Sequence, residues 1–454
     1  MGKSAGLDAE MAAGRVDAEE YVHAVCRPIG DLGDGRTGVE PERDRCVPQV
    51  VWPGLGYVHG VSTLTGQRLG PALDIDARLT GLERTVDLLL NLTPVNAAEA
   101  WVDFERSDYG SAPTLRLRPL DFDPDLVRRD LYGLEIENVT DPALHALLRS
   151  KRDEIARQVT ALEDRDTSRF VYGSLQLYGG ITRVLAADAE ELLRLIPAQV
   201  PSGRSVTAGA FAEAARAEFH RYGAQYPGFP VNVQVREDIS ELMVSFGQLL
   251  IPEAAAIRAD RVEALLHHEV GTHVVTYQNG ARQALKLLTI GLPGYDETQE
   301  GLAVLAEYLV GGLDPRRLRV LAARVIAIDQ MLHGADFLEI FESLRADHGI
   351  PARTAWAIAI RVVVAGGSVK DAIYLRGISR LLDLLAEGVN LDVLFVGKLA
   401  VDHIPLIQDL LDRKVLEAPW VRPRWLDVPG AQERLDGIRA GMSVTDLYEG
   451  AVPT

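Results

Sequence analysis

Three of the ten histidines in this 454-residue chain fall within ALLHHEVGTH, residues 264–273, with a glutamate and a glycine among them. Imidazole and carboxylate are standard zinc ligands, and a catalytic zinc keeps three protein ligands and one open position. A zinc peptidase also needs a neighbouring carboxylate that takes a proton from water and later passes one to the leaving amine. The pattern His268-Glu269-x-x-x-His273 offers two ligands and that carboxylate, Glu269. Its histidines are five residues apart, whereas the familiar zinc helix spaces them by four. On a regular α-helix five residues advance the azimuth by about 140° beyond a full turn, which aims the two imidazoles at different walls. A widened turn of about 4.4 residues brings them back to within about 50° of each other. Gly271 eases that distortion, so the spacing predicts a bulge or break at Val270 to Thr272.

The third ligand is expected from the next strongly helical stretch, GYDETQEGLAVLAEYLVGGL. There Glu300 opens a helix whose Leu302, Leu305 and Leu309 suit burial, and a Pro293-Gly294 turn lets the chain reverse before it. Glu307 falls on nearly the same face and could accept a hydrogen bond from a ligand histidine. The plain alternative is that these are core residues. A lone histidine on an apolar helix is more often a satisfied core residue, and His267 is read that way. Glu269 beside Leu265 and Leu266 then needs another explanation, because buried acids are rarely tolerated unpaired.

Several elements must position these residues. Residues 1–60 mix Gly, Pro and charge and read as an irregular extension with at most a short helix at Asp17 to Val25. Residues 61–205 form a mainly helical lobe, with Asp141-Pro142 as a helix start and TLRLRPL alternating like a strand. Residues 206–454 form the catalytic region. It opens with a helix at Ala208 to Tyr222 and a strand at Val231 to Val235; LMVSFGQLLIP is a second strand. Helices at Arg258 to Thr276, Thr298 to Val310 and Asp314 to Leu332 follow, with breaks at Gly366-Gly367 and around Gly388 to Gly397. Helices grouped beside a small sheet predict an α+β, mainly helical fold.

Composition excludes several classes. With 47% hydrophobic residues the chain can bury a large core. No stretch approaches the roughly 20 apolar residues of a membrane span, and Met1 to Ala13 does not read as a secretory signal, so a cytoplasmic location is expected. Cys26 and Cys46 lack metal or redox spacing and read as free thiols. A net charge of −18 would repel a phosphate backbone, which excludes nucleic acid as a natural partner.

From His267 to Leu313 the chain resembles a known family, the bacterial proteins named for a QEGLA motif and described as flavohemoglobin expression modulators. These are related to the vertebrate microtubule-associated tyrosine carboxypeptidases. The resemblance rests on His-Glu-x-Gly-Thr-His, Asn279-Gly280 and Gln299-Glu300-Gly301-Leu302-Ala303 in order, and extends more weakly from about Thr80 to about Leu410. It implies a gluzincin-like zinc metallopeptidase fold, one zinc on His268, His273 and Glu300, and Glu269 as general base. It also implies a peptide or peptide-like substrate with a free, aromatic C-terminal residue. Such a substrate calls for a cation on its carboxylate: Arg376 is the first choice because Arg offers two parallel donors, with Lys398 and Arg282 as alternatives. Tyr374 is the candidate donor to the oxyanion. LMVSFGQLLIP is either an edge strand to which a peptide adds or a covered core strand. Microtubule binding does not carry over, since this acidic chain has no basic run to steer it to an acidic surface. Two rival readings stay open: a zinc-containing regulator without peptidase activity, and an endo- or aminopeptidase on the same scaffold.

Overall fold

Several helices in this chain begin where a short polar side chain satisfies their first amides. The computed structural model describes residues 66–198, 203–237, 239 and 242–449; the extension at 1–60, the helix expected at Asp17 to Val25, and Cys26 and Cys46 lie outside the described residues. After helix α1 (Gly66–Val86), helix α2 (Pro142–Asp164) opens with Asp141 accepting the Leu144 amide at 3.0 Å and Pro142 in its first turn. Helix α3 (Ala208–Gln225) is capped by Thr207 in the same way. The segment expected as one helix from Arg258 to Thr276 is several pieces. A single 3₁₀ turn leads into α4 (Val262–His268), then a π-helical segment over Glu269–Val274, then α5 (Val275–Arg282). Helix α6 (Tyr295–Leu309) begins earlier than expected, so Glu300 lies in its second turn and does not open it. Asp314 and Pro315 start α7 (Pro315–Leu332), and α8 (Ile373–Ala386) follows the break at Gly366-Gly367.

Two small sheets accompany the helices, which makes the fold mainly helical α+β. Strand β1 (Ser205–Thr207) pairs antiparallel with β5 (Ala256–Arg258). In the other sheet, central β4 (Gln248–Pro252) pairs parallel with β2 (Val233–Arg236) and antiparallel with β3 (Met243–Ser245). LMVSFGQLLIP is therefore a hairpin and not one strand. Phe246 and Gly247 at its tip both take positive φ, 47° and 74°, as a two-residue hairpin turn requires. Both earlier readings of this segment hold in part: β3 is an edge and β4 is covered. The alternation in TLRLRPL marks extended backbone without a ladder, because its polar groups bond to Val95 and Asn96 in the adjoining loop.

The main core joins Leu79, Leu144 and Ile155 to Leu302, Leu321, Leu375 and Leu410. A second core under the three-stranded sheet gathers Phe211, Phe219, Tyr222, Leu249 and Ile251 with Val270 and Val274. The π segment thus faces the second core and α6 the first, and the candidate ligands lie on the seam between them. Among the described residues no helix is long and apolar enough to cross a membrane.

Candidate functional site

Five-residue spacing dictates the local backbone here. The helix widens over Glu269–Val274, covering the Val270 to Thr272 stretch where the bulge is expected, and returns to α geometry at Val275. Widening a helix alters its hydrogen-bond ladder, and buried carbonyls need donors. The indole Nε1 of fully buried Trp425 donates to the Gly271 carbonyl at 3.1 Å, and the Thr272 hydroxyl donates to the His267 carbonyl at 3.1 Å. A Cβ on Gly271 would stand 2.9 Å from Trp425 Cδ1, so glycine is required for the indole to reach the backbone.

The turn turns His268 and His273 toward each other, with ring centroids 5.2 Å apart. Glu300 Oε2 lies 3.7 Å from His268 Nε2 and 3.9 Å from His273 Nε2. That oxygen is buried and has no hydrogen-bond partner among the described residues. An orphaned buried carboxylate oxygen aimed between two imidazole nitrogens fits a divalent cation, which would satisfy it. The ligand atoms of His268, Glu269 and His273 also lie within 4.8 Å of one another, so two carboxylates compete for the third position. Glu300 is the better candidate because its unpartnered oxygen contacts both rings, whereas Glu269 Oε1 lies 3.9 Å from His268 Nε2. Glu269 is left beside these three donors.

Behind His268, Glu307 accepts a hydrogen bond from Nδ1 at 2.8 Å, which leaves Nε2 free to bind a metal. Glu307 is completely buried. Arg261 Nη2 lies 2.6 Å and Arg317 Nε 3.6 Å from its oxygens. Burial opposes its ionisation, but Arg317, His268 and Arg261 outweigh that and hold it down at about 2. Burial pushes Glu269 up to about 7, reinforced by Glu300 and Glu307, and pushes His273 down to about 4. His267 is buried on the far side and burial pushes it down, but its Nδ1 has no hydrogen-bond partner among the described residues, so it is a core histidine and not a satisfied one.

Helix α6 is laid against α8 by glycine. A Cβ on Gly301 would meet the Gly377 carbonyl carbon at 2.5 Å, so the two backbones touch where they cross. That crossing sets Tyr374 in the field of Glu300, which adds to the effect of burial in pushing the phenol up to about 12. The arginine first expected to hold a substrate carboxylate is committed elsewhere: Arg376 Nε bonds Glu297 at 2.6 Å, and its terminal nitrogens donate to the Gly180 and Tyr178 carbonyls. Its physical role is to tie α8 to α6 and to the end of the helix Phe170–Tyr178. Arg282 is exposed and stacks over Trp420 at 3.5 Å. Lys398 remains. It is half-buried, 5.5 Å from the Tyr295 ring and 6.0 Å from that of Tyr277, and burial pushes its ammonium down. Its backbone is fixed by bonds from its own amide to the Leu288 carbonyl and from the Leu292 amide to its carbonyl.

Sequence reasoning missed Asp296, Lys370 and Trp425. The first two carried a positional signal: Asp296 lies one turn before Glu300 on the same face of α6, and Lys370 four residues before Tyr374, in the 3₁₀ turn that leads into α8. Trp425 carried none, being 154 residues from the carbonyl it caps.

Two imidazoles and a carboxylate converge from two packed helices with a second carboxylate alongside, a donor set that fits a divalent metal. The sequence model of the microtubule-associated tyrosine carboxypeptidases matches residues 102–443, and the chain belongs to that family. Among curated proteins no relative matches it.

Proposed function

We propose that the protein is a zinc-dependent carboxypeptidase of the gluzincin kind that removes a C-terminal aromatic residue from a peptide or peptide-like substrate. The observation that carries this is the unpartnered Glu300 Oε2 lying within 3.9 Å of both histidine Nε2 atoms, with Glu269 beside them. His268, His273 and Glu300 would hold the metal. Zinc, when bound, polarises a carbonyl and makes water a nucleophile near neutral pH. Glu269 takes the proton of the attacking water and returns one to the departing amine. Tyr374 donates its phenol to the developing oxyanion. Lys398 offers its ammonium to the free carboxylate, and Tyr277 and Tyr295 beside it supply aromatic faces for an aromatic terminal side chain. Membership of the tyrosine carboxypeptidase family supports the reaction class. The net charge of −18 argues against docking on an acidic polymer such as a microtubule.

The test pairs metal content by mass spectrometry, on wild type and Glu300→Ala, with incubation of wild type with peptides ending in Tyr, Phe, Leu or Lys. One zinc per chain, lost in the variant, and release of Tyr or Phe are expected. Glu269→Gln should keep the metal and lose at least about a hundredfold in turnover. Zinc without release from any peptide would favour the regulatory reading, and internal or N-terminal cleavage an endo- or aminopeptidase. Absence of zinc would overturn the proposal.

A further inference from the structure

Among the described residues Arg376 and Arg380 of α8 pair with Glu297 of α6, and Lys370 in the turn before α8 pairs with Asp296, in a different way. Arg376 and Glu297 close to 2.6 Å. Lys370 Nζ stands 3.8 Å from Asp296 Oδ1, at the limit of ionic contact, although Lys370 is only 13% exposed and Asp296 24%. Lys370 and Lys398 donate no side-chain hydrogen bond among the described residues, whereas fully buried Lys151 donates to Glu154 at 2.6 Å. Both ammonium groups feel the charges of Asp296 and Glu300. Both lysines are half-buried, so their uncommitted donors stand open to water or to an incoming acceptor.

Position identifies the recipient. Asp296 is one turn before Glu300 on α6, a rise of about 5.4 Å, and Lys370 lies four residues before Tyr374 in the 3₁₀ turn that leads into α8, facing Asp296. In a peptide, the terminal carboxylate lies one residue beyond the last peptide carbonyl, and consecutive Cα atoms are about 3.8 Å apart. A substrate whose last carbonyl faces Glu300 and Tyr374 therefore brings its carboxylate to the Asp296 and Lys370 level. Two ammonium groups against one carboxylate leave a single positive charge there, enough for one carboxylate and not for two.

We infer that Lys370 and Lys398 jointly seat the substrate's terminal α-carboxylate, and that Asp296 sets the charge of this seat so that peptides ending in Asp or Glu are rejected. This rests on the carboxypeptidase reading above. Lys370 adds donors that Lys398 alone lacks, and Asp296 acts by selectivity. It holds Lys370 between substrates, at a distance long enough for a stronger acceptor to displace it.

The experiment compares kcat/KM for peptides ending in Tyr, Tyr-amide, Gln and Glu on zinc-loaded wild type, Lys370→Gln, Lys398→Gln and Asp296→Asn, with metal content measured for each. Binding of N-acetyltyrosine and its amide to chelator-treated protein is followed in parallel by NMR. Each lysine variant is expected to lose about 10- to 100-fold of the preference for free acid over amide, the scale of one hydrogen bond to a charged group. Asp296→Asn should raise the Glu-over-Gln ratio by about tenfold or more. Unchanged preferences in metal-replete Lys370→Gln and Asp296→Asn would overturn the inference while leaving the carboxypeptidase reading intact. If wild type releases nothing, that reading fails by itself, and the binding arm still decides: equal binding of acid and amide overturns the seat, and acid-selective binding lost in Lys370→Gln supports it.

Discussion

Trp425→Phe separates the widened turn from the core that surrounds it. The substitution keeps an aromatic ring in the cavity and removes the indole N–H that the Gly271 carbonyl accepts at 3.1 Å. A buried carbonyl deprived of its donor costs about 1–3 kcal/mol, and loss of part of a packed ring adds about 1 kcal/mol or more. The total is about 2–4 kcal/mol of global stability. The better control is Trp356→Phe. Trp356 is 2% exposed, and its Nε1 has no hydrogen-bond partner among the described residues, so that variant pays only for the ring. The two should differ by the hydrogen bond, about 1–3 kcal/mol in urea unfolding of metal-free protein. Only Trp425→Phe should also weaken zinc in competition with a chelating dye. A turn that relaxes toward regular α-helix opens the angle between His268 and His273 from about 50° to about 140°. Equal stability and equal metal affinity in the two variants would refute the assignment of Trp425 to the turn.

Glu307→Gln should lower zinc affinity about 10- to 100-fold in the same competition assay, because the carboxylate that orients His268 becomes an amide; with Arg261 and Arg317 left facing a neutral group, unfolding should also become easier by about 3 kcal/mol. Gly301→Ala drives a Cβ to within 2.5 Å of Gly377 backbone, which cannot yield as a side chain could, so thermal melts should show a loss of about 1–3 kcal/mol or more together with reduced turnover. Burial pushes His403 from its ordinary 6.5 down to about 4. The folded state therefore binds fewer protons than the unfolded one between those values, and stability falls as pH drops from about 6.5 to 4. The full contribution is about 3 kcal/mol, so urea midpoints at pH 7 and pH 4 should converge in His403→Gln relative to wild type.

The ligand cluster was legible because its chemistry is local. A five-residue gap between histidines has one good geometric solution, and Glu307 follows Glu300 by two helical turns, so face and spacing together predicted the bond to His268. Pieces that depend on distant partners were not legible. Arg376 has the right side chain for a carboxylate, but whether its donors are already taken depends on Glu297 and on two carbonyls at the end of another helix. TLRLRPL shows extended backbone, and alternation does not say whether a neighbouring strand exists. The hairpin in LMVSFGQLLIP was hidden because Phe246, an uncommon residue at positive φ, occupies the turn position where glycine or asparagine would have announced it.

The Trp425 contact also orders events in time. During synthesis the histidines and Glu300 leave the ribosome well before the residue that caps the Gly271 carbonyl, and the side-chain amides of Asn279 and Gln283 likewise wait for the backbone of Val421 and Glu417. A nascent chain that already holds every ligand still lacks the braces that keep those ligands convergent. On the proposed zinc reading, metal capture therefore belongs to the finished chain, and a ribosome stalled ahead of Trp425 should present the proposed ligands without retaining the ion.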